Sequence, residues 1–135
     1  MIRQKKRKLG NEKEKIAGVV LQSCGYKILQ YNFYTRIGEI DIVAKEGEYY
    51  VFVEVKYRST DAYGMPEEAI DYRKQKRIIA ASRYYLMKQG VPENVPCRFD
   101  VVCILGKKYK IIKDAFHVEL SLIHISEPTR HSLIS

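Results

Sequence analysis

Asp41, Glu54 and Lys56 are the residues of this chain whose types and spacing can do chemistry. They lie in one stretch, Gly38 to Arg58, GEIDIVAKEGEYYVFVEVKYR, which reads as two strands joined by a turn at Lys45-Glu46-Gly47-Glu48. Tyr49 to Tyr57 is dense in Val, Tyr and Phe, the composition of a pleated, half-buried surface. Side chains alternate along a strand, so Val51, Val53 and Val55 share one face and Phe52, Glu54 and Lys56 the other. The same rule sets Ile40 and Ile42 against Glu39, Asp41 and Val43 in the first strand. A hairpin then brings Asp41, Glu54 and Lys56 to a single face. Carboxylates beside a lysine on stiff apolar strands can bind a hard divalent cation and keep a water near it. The alternation also describes any sheet with one wet face, on which Glu54 and Lys56 are an ordinary solvated pair.

The flanking elements must hold that hairpin. A first helix is expected from Asn11, whose side chain with Glu14 three residues on fits a capping box. Ile16, Ala17, Val20 and Leu21 recur at helical spacing, and Gly25 is placed to end the helix. Tyr26 to Tyr31 is a short strand leading into the hairpin. Pro66 suits the first turn of a second helix, with Glu67 and Glu68 at its positive end. That helix is expected to run to Gln89 and stop at Gly90, with Ala69, Ile78, Ala81, Tyr85 and Leu86 facing the core. From Tyr72 to Lys88 it carries Arg73, Lys74, Lys76, Arg77, Arg83 and Lys88 and no acid. Such a run is either a solvated face or a phosphate-binding one. Cys97 to Leu105 and Tyr109 to Ile112, joined by a Gly106-Lys107-Lys108 turn, complete the sheet. Helix, three strands, helix, two strands is the order of an α/β sandwich with a mixed central sheet.

The whole chain has 135 residues, a net charge of +8 and 46% hydrophobic residues, with a pI near 9.4. That is one globular domain with an excess of positive charge suited to a polyanion such as nucleic acid. No apolar run reaches the ~20 residues that cross a bilayer, and no signal-peptide pattern follows the basic amino terminus. A cytoplasmic protein without membrane attachment is expected, with Cys24, Cys97 and Cys103 as small buried hydrophobes rather than disulfide or zinc ligands. Residues 1–9 read as a basic flexible arm and 10–119 as the domain. LSLIHISEPTR, Leu120 to Arg130, resembles a translated sequencing adapter, so 120–135 is expected to be a non-native tail.

An acidic residue, a short hairpin and Glu-x-Lys at the end of an apolar strand resembles the PD-(D/E)xK nuclease core. The fuller string, GEIDIVA followed by VFVEVKYR, is similar to the YraN-like uncharacterised, endonuclease-like proteins, which are similar to archaeal Holliday junction resolvases. The resemblance implies a restriction-endonuclease-like three-layer sandwich, its mixed central β-sheet flanked by helices. It makes Asp41 and Glu54 metal ligands, with the main-chain carbonyl of Val55 a third, and Lys56 the residue that positions the attacking water. The proline of the superfamily name is absent, and Ile40 stands there. Glu14 inherits the part of an additional metal or water ligand beside its part in the capping box; Lys13 stands where the family usually has glycine. Lys74 and Gln75 match a basic patch of the second helix, while Arg98-Phe99-Asp100-Val101 matches a strand whose aspartate is structural.

The implied function is a Mg²⁺- or Mn²⁺-dependent endonuclease acting on DNA, including branched or damaged forms, as a monomer or a homodimer. Arg58, Arg73, Lys74, Lys76 and Arg77 are the expected nucleic-acid contacts. The alternatives are a nucleic-acid-binding module that keeps the fold without catalysis, and a partner-binding accessory protein. No Ser-His-Asp order, HExxH or Gly-rich phosphate loop offers a different chemistry.

Overall fold

The computed structural model describes residues 2–58, 70–92 and 94–117. Its elements run α1 (Ile2–Ser23), β1 (Lys27–Tyr34), β2 (Glu39–Glu46), β3 (Tyr49–Arg58), α2 (Tyr72–Lys88), β4 (Cys97–Leu105) and β5 (Lys108–Phe116). The five strands form one sheet in sequence order. β1, β2 and β3 pair antiparallel, β3 and β4 pair parallel, and β5 returns antiparallel to β4. The parallel pair requires a crossover, and α2 lies on it. The expected α/β sandwich with a mixed sheet is the one observed.

Two apolar clusters, one on each sheet face, make three layers. Ala17 and Leu21 of α1 pack on Ile42, Ala44, Val51, Val53, Val102 and Ile104. Ile78, Ile79, Ala81, Tyr85 and Leu86 of α2 pack on Phe33, Ile40, Val43, Phe52, Val101 and Cys103. β4 is covered on both faces, which is why CRFDVVCIL is nearly unbroken in its hydrophobicity. Its one buried acid, Asp100, is fully satisfied. Its carboxylate accepts from Tyr26 Oη at 2.7 Å, Arg98 Nε at 2.9 Å, Arg98 Nη2 at 3.0 Å and the Asp114 N–H at 3.0 Å. Arg98 continues to Glu46, which also receives Lys113. The network thus ties the turn after α1 to β2, β4 and β5.

Three expectations about the helices change. α1 begins at Ile2 rather than Asn11, so Asn11 is no cap and the segment assigned to a flexible arm forms the first turns of the helix. Lys, Arg, Gln and Leu are good helix formers, the run holds no proline, and Gly10 does not stop propagation backwards. The inward stripe of α1 is Glu14, Ala17, Gly18 and Leu21, spaced three and four apart; Ile16 points outward, 50% exposed. α2 starts at Tyr72, where Asp71 caps it by accepting the Lys74 N–H at 2.9 Å. Pro66, Glu67, Glu68, Ala69 and the tail from 120 lie outside the described residues. Cys24, expected inside, is exposed in the turn after α1.

Candidate active site

The β2–β3 ladder ends at the pair Ile42↔Val53, one residue short of Asp41 and Glu54. Beyond it the two strands part, and the Asp41 carboxylate bridges the gap by accepting the Val55 N–H at 2.8 Å. Within a strand a residue's N–H and C=O point the same way, so the Val55 carbonyl also faces the β2 side, past the end of the ladder.

Strict alternation fails at this point. Ile40 belongs to the cluster under α2 and Ile42 to the cluster under α1, although both were expected on one face. Phe33 and Tyr31, their partners on β1, divide in the same way. Between those two stands Asn32 at φ 54°, a left-handed conformation that asparagine tolerates better than most residues. The kink brings the Asn32 side chain to Glu14.

Three elements therefore converge. Glu14 comes from the inward stripe of α1, Asp41 from the kinked start of β2, and Glu54 from β3 beyond its last ladder pair. Glu14 hydrogen-bonds with the side chains of Asn32 and Asp41, while its Oε1 is buried with no partner. Burial raises the Glu14 carboxyl, against the pull of those hydrogen bonds, with Glu39 and Glu54 adding repulsion. Burial and then the Glu54 charge push Asp41 up to about 8, against the lowering effect of the Val55 N–H. A hydrogen bond between two carboxyls needs a shared proton, so near neutral pH without a cation Asp41 holds one.

Lys74 brings positive charge to Glu54. Its ammonium contacts Glu54 Oε2, reaching over from the first turn of α2. Burial works against the Lys74 charge, but the Glu54 hydrogen bond and the charges of Glu54, Asp41 and Glu39 outweigh it and hold its pKa above the ordinary value. Among the described residues no group of three or more His, Cys, Asp or Glu side chains is arranged to hold a metal ion. The donor chemistry nevertheless suits a hard cation: carboxylate oxygens, one of them orphaned, and a main-chain carbonyl.

Two clefts open on these acids. One of about 550 Å³ is lined by Asp41, Glu54 and Lys74 together with Arg36, Ile37, Gly38, Glu39, Arg77 and Ile78. The other, about 260 Å³, reaches the same three residues from the α1 side past Lys13, Glu14, Val55 and Tyr57. Lys13, where the family resemblance expected glycine, holds its ammonium 4.4 Å from the Tyr57 ring centroid. The Thr35–Gly38 turn forms one lip of the larger cleft and is tightly built. Thr35 Oγ1 accepts the N–H groups of Ile37 and Gly38 at 3.1 and 3.0 Å and donates to the Gly38 carbonyl at 2.7 Å. Gly38 lies so close to α2 that a Cβ there would stand 3.0 Å from Arg77 Cβ and 3.1 Å from its carbonyl oxygen.

Of the residues singled out from sequence, Glu14, Asp41, Glu54 and Val55 line the smaller cleft together. Lys56 is half-buried on β3 and lines neither cleft. Arg58 is exposed at the end of β3, where its carbonyl accepts the Gly106 N–H. Arg73 and Lys76 are exposed on α2, the Lys76 ammonium over the Tyr72 ring. Arg77 reaches the larger cleft, and Lys74 sits on the acids rather than on an outer face. Sequence reasoning missed Asn32 and Arg36. An asparagine inside an apolar strand was a usable signal for the first; Arg36 offered none.

Residues 13–104 match the family described as Uncharacterised protein family UPF0102. A UPF0102 protein of Lachnoclostridium phytofermentans is 51% identical over 107 residues, 79% of this chain and 91% of that one. One from Thermodesulfovibrio yellowstonii is 44% identical over 108 residues, 80% of this chain and 95% of the relative. A third, from Nitrosococcus oceani, is 40% identical over 114 residues, covering 82% and 92%.

Proposed function

The chain belongs to the uncharacterised protein family UPF0102, and from that premise we propose that it is a metal-dependent nuclease hydrolysing phosphodiester bonds in DNA. The observation that carries this reading is the convergence of Glu14, Asp41 and Glu54 from three separate elements, with a buried Glu14 oxygen left unpartnered. A structural role would not set the Glu54 charge against two carboxyls, Glu14 and Asp41, whose pKa values it raises; a site for a cation would.

Asp41, Glu54 and the Val55 carbonyl are the residues to hold Mg²⁺ or Mn²⁺, with Glu14 beside them. Such an ion, when bound, supplies charge neutralisation at the phosphate and an acidified water near neutral pH. The rest belongs to the chain. Arg36 and Arg77 on the larger cleft offer guanidinium forks to the phosphates on either side of the scissile bond. Lys56 follows Glu54 on the same strand face, and its ammonium is assigned to hold the attacking water and counter charge in the transition state. Among the described residues no helix is long and apolar enough to cross a membrane.

A second reading, a nucleic-acid binder without catalysis, is favoured by one observation: the Lys74 ammonium sits on a ligand oxygen of Glu54. A cleavage panel over linear, nicked, flapped and four-way DNA, in Mg²⁺ and in Mn²⁺, separates the two. Cleavage that disappears in Glu54→Gln while binding in EDTA persists supports the nuclease. Binding with no cleavage on any substrate leaves the binder. Cleavage undiminished in Glu54→Gln belongs to a contaminant and refutes the site.

A further inference from the structure

Lys74 departs most from its expected role. Its backbone is fixed, because its N–H donates to the capping Asp71 carboxylate in the first turn of α2. Its side chain is not fixed to the same degree. It is half exposed, while the Glu54 side chain it contacts is 9% exposed. A long, half-exposed lysine stem can swing between two positions at little cost, and Lys74 lines both clefts. The Glu54 carboxylate it holds is one the proposed metal site needs. Two cations cannot share that carboxylate without strong repulsion, so occupancy by one works against the other.

We propose that Lys74 is the resident counter-cation of the carboxylate site, displaced when a divalent cation binds and then turned into the larger cleft to meet a substrate phosphate. This inference rests on the nuclease reading and adds a coupling to it. The free site is kept electrically tolerable by a tethered ammonium. Metal entry releases that ammonium beside Arg36 and Arg77, so metal and polyanion bind with positive cooperativity, each raising the affinity of the other.

The test is a titration of the full-length protein with Mn²⁺, followed by electron paramagnetic resonance of the unbound ion, for wild type, Lys74→Met and Lys74→Gln. Displacement predicts Mn²⁺ binding about fivefold tighter in both variants, about 1 kcal/mol at 1.4 kcal/mol per tenfold. It also predicts a larger rise in Tm with Mn²⁺ in the variants than in wild type. A second measurement is binding of a short duplex in EDTA and in Ca²⁺. Wild type should bind more tightly with Ca²⁺, and the variants should lose most of that gain. Two variants of different polarity guard against one that fails to fold. Equal or weaker Mn²⁺ binding in both variants overturns the counter-cation while leaving the nuclease reading intact. No Mn²⁺ binding by wild type or either variant overturns both.

Discussion

Replacing Asp41 with asparagine should stabilise this protein in the absence of metal, the reverse of what removing a buried hydrogen-bonded aspartate ordinarily does. Asp41 is raised from 3.8 to about 8, first by burial and then by the Glu54 charge. The native state therefore holds a proton that the unfolded chain releases. Stability from this group is full below about pH 4 and is lost as pH rises through about 8. At pH 7 the offset corresponds to about 4 kcal/mol at 1.4 kcal/mol per pH unit, an upper figure because Glu14 and Glu54 share the same crowding. About half of that, ~2 kcal/mol, is expected for Asp41→Asn. The carboxamide oxygen can still accept the Val55 N–H, so the cap on the parted strands survives. Urea unfolding and thermal melts in EDTA, from about pH 5 to about pH 8, are the assay. Wild-type stability should fall more steeply with pH than that of the variant, which keeps only the raised Glu14, the two separating by roughly 8 °C in Tm at the alkaline end. Saturating Mn²⁺ should reverse the order, because wild type alone keeps the charged ligand. An asparagine variant less stable at every pH would mean that Asp41 serves only to cap the gap, and the crowded-carboxylate argument would fail.

Charge reversal at Arg36 and Arg77 should weaken DNA binding in EDTA and make its salt dependence shallower, by about 0.9 in logarithmic slope for each phosphate no longer neutralised; an unchanged slope would move the nucleic acid off this cleft. Asp100→Ala should cost about 3–5 kcal/mol in urea unfolding, since it strips Arg98 and Tyr26 of their shared partner, yet Mn²⁺ affinity should be unaltered. Gly38→Val should cost about 1–3 kcal/mol and reduce DNA binding, because the added carbons meet Arg77 backbone and push the Thr35–Gly38 lip away from α2; a variant as stable and as tight as wild type would show that the lip does not depend on that close approach.

What could be read from the sequence, and what could not, follows the range of the interactions involved. The order of elements, the β2–β3 hairpin and the crossover helix were legible, because local periodicity and turn residues determine them. Glu14 was named, but for two reasons at once, and only the start of α1 at Ile2 removes the capping one. Lys74 was assigned to an outer basic face because its neighbours Arg73 and Lys76 belong there; its contact with Glu54 depends on how far α2 leans over the sheet. No local pattern contains that.

The failure of alternation at Asp41 is more instructive than these. A ladder that continued through Asp41 and Glu54 would pair the two directly, on the face under α2 and turned away from Glu14 of α1. The carboxylates instead gather because the ladder stops at Ile42↔Val53, Asn32 adopts φ 54° opposite the break, and Asp41 takes up the Val55 N–H that β2 has left. The period-two rule that identified the strands gives out at the site, where the acids of the hairpin must also meet Glu14 from the other face of the sheet. An asparagine in an apolar strand, beside an acid that interrupts its partner strand, is therefore the local mark of this site. It locates the parting of the strands, and with it the place where α1 can deliver Glu14.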